Sequence, residues 1–389
     1  MIQPSGPAAP RVARIMLADF RSYVALDLAV SARLVALTGE NGAGKTNLIE
    51  ALSLFTAGRG LRRADFADMA REGAAAGFAV SLALDRPEGV IRLGTGIERL
   101  ADGGLSPRRC RIDGIAASSP AAFAEHLRVV WLTPALDALF TGAAGERRRF
   151  LDRLVLALDA RHGARVGAYE KALRGRNRLL EDPASDRAWL DGIEAEIATL
   201  GAAIGTARGR VARRLAALAA DERDGPFPFA DLALEGAIEA LAAEDEEMAV
   251  REFRRMLRDG RMRDAAAGRA LIGPHTSDLK VWHGPKGVAA ERASTGEQKA
   301  LLVGIVLAHA RLVAAETGIA PLVLLDEVAA HLDSRRRAAL FSALDALGGQ
   351  VFMTGADPAL FAELPGSAEI FAVASAGVRP LAADKGRSS

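Results

Sequence analysis

Gly39 to Thr46 reads Gly-Glu-Asn-Gly-Ala-Gly-Lys-Thr, a glycine, four open positions and then Gly-Lys-Thr, the spacing of a phosphate-binding loop. Gly39, Gly42 and Gly44 let the backbone turn successive N–H groups around an anion, and the helix that follows adds the positive end of its dipole. Glu40, Asn41 and Ala43 complete the loop. Lys45 would reach the outer phosphates, and Thr46 would offer its hydroxyl to magnesium, which fits a nucleoside triphosphate better than a bare phosphate. The alternative is a glycine-rich turn ahead of an ordinary helix.

A second piece of chemistry lies near the other end of the chain. Pro321-Leu-Val-Leu-Leu-Asp326-Glu327 is an apolar run closed by two carboxylates, which reads as a buried parallel strand presenting acids at its C-terminal edge. Asp326 would support the magnesium ion. Glu327 would orient or deprotonate an attacking water, so Glu327 and Lys45 are the catalytic candidates. Between the two pieces, Ser294-Thr-Gly-Glu297 has the capping-box pattern and puts Ser294 at a helix N-terminus. Gly296 stands where a helix former is preferred, which suggests a ligand close to the backbone there.

These groups need elements to hold them. Leu34 to Leu37 form an apolar run before the loop, and Leu48, Ile49, Ala51, Leu52, Leu54 and Phe55 give helical periodicity after it. That helix is expected to end near Gly58, ahead of a basic loop from Arg59 to Arg63. Arg11 to Val30 predicts two strands joined at Asp19-Phe-Arg-Ser-Tyr23. Further strands are expected at Val80–Leu84, Val90–Gly94 and Arg108–Gly114. A long helix from Lys299 to about Glu316 should be closed by Gly318.

The texture turns helical from Glu146. Between Glu146 and Arg178 there are ten basic residues against four acidic ones, the strongest local surplus in a chain of 50 basic and 49 acidic residues. Helices are expected to continue to about Ala270, broken at Pro183 and at Pro226-Phe-Pro228. Arg251, Arg254, Arg255, Arg258, Arg261 and Arg263 follow helical spacing. Both groups read either as solvated helix faces or, taken together on one arm, as contacts to DNA phosphates. A net charge of +1 carries no message about partners by itself.

With 389 residues, half of them hydrophobic, the chain has room for two domains or for one with a large insertion. Cys110 is the single cysteine, which excludes an internal disulfide and a multi-cysteine zinc site. Met1 to Pro10 lacks a signal-like apolar core, and the longest apolar run, Leu301 to Ala310, is short of the roughly 20 residues of a bilayer span. A cytoplasmic protein without a membrane partner is the expectation.

The order of phosphate loop, Ser294 signature, Asp326 strand and His331-Leu-Asp333 resembles that of ATP-binding cassette heads. More narrowly, the chain resembles the RecF family of bacterial DNA-repair ATPases, which are related to SMC proteins. The matching stretches are Asp19-Phe-Arg-Ser-Tyr, Gly39 to Asn47, Arg147-Arg-Arg-Phe-Leu-Asp152, Tyr169 to Leu180, Gly273-Pro-His-Thr-Ser-Asp278, Ser294-Thr-Gly-Glu-Gln-Lys299 and Leu324 to Asp333. The resemblance implies an α/β fold, an ABC/SMC-type P-loop ATPase head built from both chain ends (1–145 and 271–389) with an inserted helical arm (146–270). It implies ATP and Mg2+ at Gly39 to Thr46, with Arg21 and Ser22 near the nucleotide. It also implies that Ser294 and Gly296 contact the γ-phosphate held by a second subunit, and that Asp333 lies at that ATP-dependent homodimer interface. Double-stranded and gapped DNA and RecR- and RecO-like proteins are the implied partners, in loading recombinase on single strands, with slow DNA-dependent hydrolysis. Two positions depart from the cassette pattern: Thr354 stands where a switch histidine is usual, and Trp131 to Pro134 carries no lid glutamine.

Two other classes share parts of this pattern. A transporter ATPase subunit would have the same loop and acidic strand, but the long stretch from Lys45 to Ser294 leaves room for the basic arm. An SMC-like structural tether needs a long heptad coil, and the prolines are expected to cut the arm into short helices.

Overall fold

The computed structural model describes residues 9–381 except 101, 183, 185, 222, 224 and 376. The chain divides into two compact units, Met1–Asp137 with Val306–Ser389, and Ala138–Ile305. The N-terminal part of the first unit contains β1 (Arg11–Phe20), β2 (Tyr23–Ala29), β3 (Leu34–Thr38), α1 (Lys45–Ser53) and the single turn α2 (Phe66–Met69). It continues through β4 (Gly77–Asp85), β5 (Ile91–Glu98), β6 (Arg109–Ile112), β7 (Ile115–Ala116) and β8 (Val129–Leu132). The second unit holds α3 (Ala144–Leu158), α4 (His162–Glu181), α5 (Arg187–Asp221), β9 (Ala230–Glu235), α6 (Ala237–Glu244), α7 (Glu246–Asp259), α8 (Arg261–Ala267), β10 (Asp278–His283) and β11 (Val288–Ala289). The division falls inside α9 (Thr295–Thr317), after which come β12 (Leu322–Leu325), α10 (Ser334–Ala346), β13 (Val351–Gly355), β14 (Glu369–Ala374) and β15 (Gly377–Pro380).

Two six-stranded sheets build the first unit. One is antiparallel in the order β2-β1-β4-β5-β6-β7; the other, β15-β14-β3-β13-β12-β8, is parallel except for β15. β3, β12 and β13 are buried along their whole length, as central parallel strands covered on both faces must be, and the edge strand β8 is buried as well. β1 instead alternates buried and partly exposed positions, the period of a sheet with one wet face. A single core joins the sheets through Ile15, Leu37, Leu48, Phe55, Leu82, Phe123 and Phe352. Gln350, 2% exposed, accepts from the Val12 N–H at 2.7 Å and donates to the Val12 and Ala32 carbonyls, tying the chain's start to the parallel sheet.

Helix α1 ends at Ser53, one turn before the expected Gly58. Arg108 explains the early stop: its guanidinium donates to the carbonyls of Leu54, Thr56 and Gly58, and so satisfies oxygens that would otherwise need further helix. Burial pushes the pKa of Arg108 down. Cys110 on β6 is buried.

The second unit is more than a run of helices. β9 lies where helix was expected, because Ala230 to Glu235 pair in full antiparallel register with β10 at Asp278–His283, a partner beyond local sequence range. The compact unit therefore takes in residues on both sides of the 146–270 segment. The expectation of short helices also fails, since α5 runs for 35 residues, about 52 Å at 1.5 Å per residue. Pro226 and Pro228 follow its end, and Pro183 lies outside the described residues. Tyr169, Ile197, Ile204, Ile238, Phe253 and Leu257 form this unit's core around α5. α9, at 23 residues, is long and apolar enough to cross a membrane by length and composition, although the apolar run within it is shorter; 67% of its most apolar window is buried in the fold, as in a core helix.

Candidate functional site: a phosphate loop beside an acidic strand end

β3, β13 and β12 are parallel neighbours, so their C-terminal ends open on one edge of the sheet, where ligands bind in open α/β folds. The phosphate loop leaves β3, Asp326 and Glu327 leave β12, and Thr354 sits near the end of β13. Gly39 has a φ of 147°, and a Cβ there would lie 2.2 Å from the Val373 carbonyl oxygen on β14. Gly44, at a φ of 113°, is the residue before α1, and a Cβ would come within 3.0 Å of the Tyr23 hydroxyl. Both glycines are thus required by backbone conformation and by close packing.

Lys45 is buried, and its ammonium donates to the Gly39 and Glu40 carbonyls at 2.7 and 2.9 Å. Glu327 Oε1 lies 3.8 Å away. Thr46 donates its hydroxyl to Asp326 Oδ1 at 3.0 Å, which brings together two groups far apart in the chain. Glu40, Asn41 and Gly42 are exposed at the mouth of the loop, with Ala43 partly covered. The hydroxyl and carboxylate are hard oxygen donors, and among the described residues no group of three or more His, Cys, Asp or Glu could hold a metal ion. A cation at Thr46 and Asp326 would therefore draw its other ligands from phosphate oxygens and water, the habit of magnesium, so these residues fit a magnesium nucleotide.

Ser22 lies against the same loop, its Oγ 3.1 Å from where a Cβ on Gly44 would stand, and Arg21 is held on α1. Arg21, at a φ of 53°, donates through Nε and Nη2 to the two oxygens of Glu50 at 2.9 and 2.7 Å. Ser22 Oγ accepts from Asn47 at 2.9 Å. Sequence reasoning missed Glu50, which is fully buried on α1 and also accepts from Arg62 at 3.1 Å. Its only signal was an acid flanked by Ile49 and Ala51, on the face of the helix that had to be buried. Tyr23 was missed in the same way: its hydroxyl donates to the Gly44 carbonyl at 3.1 Å, and burial pushes its pKa upward.

Ser294 and Gly296 belong to the second unit. The capping box forms there: the Ser294 N–H donates to Glu297 at 3.0 Å, and Glu297 N–H donates back to Ser294 Oγ at 3.4 Å. Lys286, 2.5 Å from Glu297, and the two Ser294 hydrogen bonds hold the Glu297 carboxyl down at about 2. Gly296 is partly buried in the first turn of α9. Asp333 caps α10 by accepting from the Arg336 N–H at 2.8 Å.

Many of the basic residues have structural partners. Arg147 makes a two-pronged pair with Asp278, Arg148 donates to the Ser277 carbonyl, and Arg176 is fully buried between Glu194 and Asp264. On α7 and α8, Arg255 pairs with Glu252 and Asp259, and Arg261 with Asp191 and Glu194. What remains exposed on one face of α4 is Lys171, Arg174 and Arg178, which have no ion pair among the described residues.

The parallel sheet, its glycine loop and the acidic strand end make the first unit an ABC/SMC-type ATPase head. The family model described as the RecF/RecN/SMC N terminal domain matches residues 11–376. The DNA replication and repair protein RecF of Mesorhizobium japonicum is 54% identical over 376 residues, 96% of this chain and 99% of that protein. Its counterpart in Brucella suis is 54% identical over 369 residues, 94% of each chain. The chain belongs to the RecF family of DNA replication and repair proteins. Among solved structures, the recombination mediator protein RecF with ATP in the RecFOR pathway superposes with a TM-score of 0.84 at 20% identity, covering 98% of this chain and all of that one. An SMC head domain bound to ScpA from Pyrococcus furiosus reaches 0.52 at 16% identity, with 96% of each chain covered. These two likenesses speak for the fold.

Proposed function

We propose that this chain is an ATP-gated DNA-binding protein of recombinational repair, which binds ATP with Mg2+, dimerises on it, and engages double-stranded or gapped DNA to help load recombinase. The observation that supports this reading best is the Thr46–Asp326 contact beside Lys45, which brings together from the two ends of the chain the groups that a magnesium nucleotide would need. Gly39 to Thr46 cradle the phosphates with their N–H groups, and Lys45 exchanges its loop carbonyls for phosphate oxygens. Arg21, held on Glu50, and Ser22 flank the nucleotide. Thr46 and Asp326 hold the magnesium, which when bound neutralises charge on the transferring phosphate. Glu327 orients the attacking water and takes its proton.

Ser294 and Gly296, at the start of a capped helix, complete the site on a second copy, and Asp333 lies at the interface between the copies. The RecFOR pathway named for the structural relative fits RecR- and RecO-like partners. Hydrolysis is slow and DNA-dependent, because the site is complete only in the dimer. Steady-state phosphate release with and without gapped duplex, together with sedimentation in ATP and in ADP, tests this. A DNA-stimulated rate and an ATP-specific dimer are the expected results; fast turnover by a monomer without DNA would overturn the reading.

A further inference from the structure

Thr354 is 1% exposed on β13, and both sides of its hydroxyl are used. Its proton goes to Asp326 Oδ1 at 2.8 Å, since a carboxylate can only accept, and its oxygen accepts the Glu327 backbone N–H at 2.9 Å. Glu327 needs that support. Its φ of 54° is left-handed, a conformation a residue with a Cβ adopts only when its surroundings impose it. Glu327 is also the residue before the short 3-10 turn Val328–His331, so its backbone sets where its carboxylate leaves the strand end.

We propose that Thr354 is the positioning residue of the hydrolytic site: one hydroxyl fixes the Asp326 carboxylate and the left-handed backbone of Glu327 together. The Glu327 carboxylate is thereby aimed at the attacking water while Asp326 stays turned toward Thr46. The inference rests on the ATP-hydrolysis reading above, and it assigns Thr354 no contact with nucleotide. Valine has the same β-branched shape and suits a buried strand, but it neither donates nor accepts. Serine keeps the hydroxyl and loses only a methyl group.

The test compares Thr354→Val and Thr354→Ser with the wild type in three measurements: single-turnover ATP hydrolysis, affinity for a fluorescent ATP analogue, and amide exchange of Glu327 in the nucleotide-free protein. Thr354→Val is expected to hydrolyse ATP at least about tenfold more slowly with affinity held within about threefold, the signature of a lost transition-state interaction. Its Glu327 amide should exchange at least about tenfold faster, since the acceptor that protects it is gone. Thr354→Ser should stay near wild type in all three. Wild-type hydrolysis or wild-type amide protection in Thr354→Val, or equal damage in Thr354→Ser, would overturn the proposal. If Thr354→Val fails to fold by circular dichroism, Thr354→Ala takes its place under the same criteria. If the wild type itself does not hydrolyse ATP, the ATPase reading falls, while amide exchange still decides whether Thr354 holds Glu327.

Discussion

In the proposed ATPase, Lys45 and Glu327 divide the work at the nucleotide. Lys45 donates to two loop carbonyls and has the Glu327 carboxylate 3.8 Å away, so phosphate oxygens meet an ammonium already held at the loop. Lys45→Ala is expected to weaken ATP binding at least about a hundredfold, and Glu327→Gln to keep affinity while lowering hydrolysis at least about a hundredfold. Titration with a fluorescent ATP analogue beside single-turnover hydrolysis checks both, and a Glu327→Gln variant with normal turnover would remove Glu327 from its role. Glu50 belongs to the same scale. It is a fully buried carboxylate whose charge is met by Arg21 and Arg62, so Glu50→Gln leaves two arginines short of an anion. Arg21 is then free to leave α1, and ATP affinity should fall about tenfold, equivalent to roughly 1.4 kcal/mol. Unchanged affinity would mean that Arg21 needs no anchor.

At the scale of elements, Arg147-Arg-Arg-Phe-Leu-Asp152 and Gly273-Pro-His-Thr-Ser-Asp278 prove to be two halves of buried polar packing in the second unit. Arg208 donates twice to Asp152 at 2.8 Å, and also to the Pro274 carbonyl and Ser277 Oγ, while His162 Nε2 lies 2.8 Å from Asp152. Burial alone would raise the Asp152 pKa, but the hydrogen bonds from His162 and Arg208 prevail and bring it to about 2. Because the folded value lies below the unfolded one, the stabilisation is fully present above the unfolded pKa and is lost as pH falls through the folded value. Its size is about 2 kcal/mol. Thermal unfolding followed from pH 7 to pH 2 should show Asp152→Asn well below wild type at neutral pH and the gap closing below about pH 3. A gap independent of pH would contradict the assignment. On α4, reversing Lys171, Arg174 and Arg178 to Glu should weaken DNA binding and flatten its salt dependence, with circular dichroism unchanged; an unaltered DNA affinity would make that face merely solvated.

The elements also mark what could be read beforehand. The loop, the buried acidic strand and the capping box at Ser294 were legible because local spacing and apolar runs dictate them. β9 was not, since its strand character comes from pairing with β10. The end of α1 depended on Arg108 reaching back from the residue just before β6. The break expected at Pro226-Phe-Pro228 does follow α5; what was not legible is that 187–221 runs as one helix, since Gly192, Gly201, Gly205 and Gly209 weaken its helical signal. Thr354 was visible only as a departure from the cassette pattern, and its partners Asp326 and Glu327 become apparent only when β12 and β13 lie side by side.

For the molecule as a whole, a net charge of +1 means that attraction to DNA must come from local patches. Nucleotide that favours the DNA-binding form must in turn be held more tightly when DNA is present. The most direct measurement is the anisotropy of a labelled gapped duplex titrated with wild type, Lys45→Ala and Glu327→Gln, in ATP, in ADP and without nucleotide, at two salt concentrations. An ATP-gated clamp predicts tight binding only in ATP, retained longest by Glu327→Gln, lost in Lys45→Ala and weakened by salt. Equal affinity in all three nucleotide conditions, or no binding in any, would contradict it.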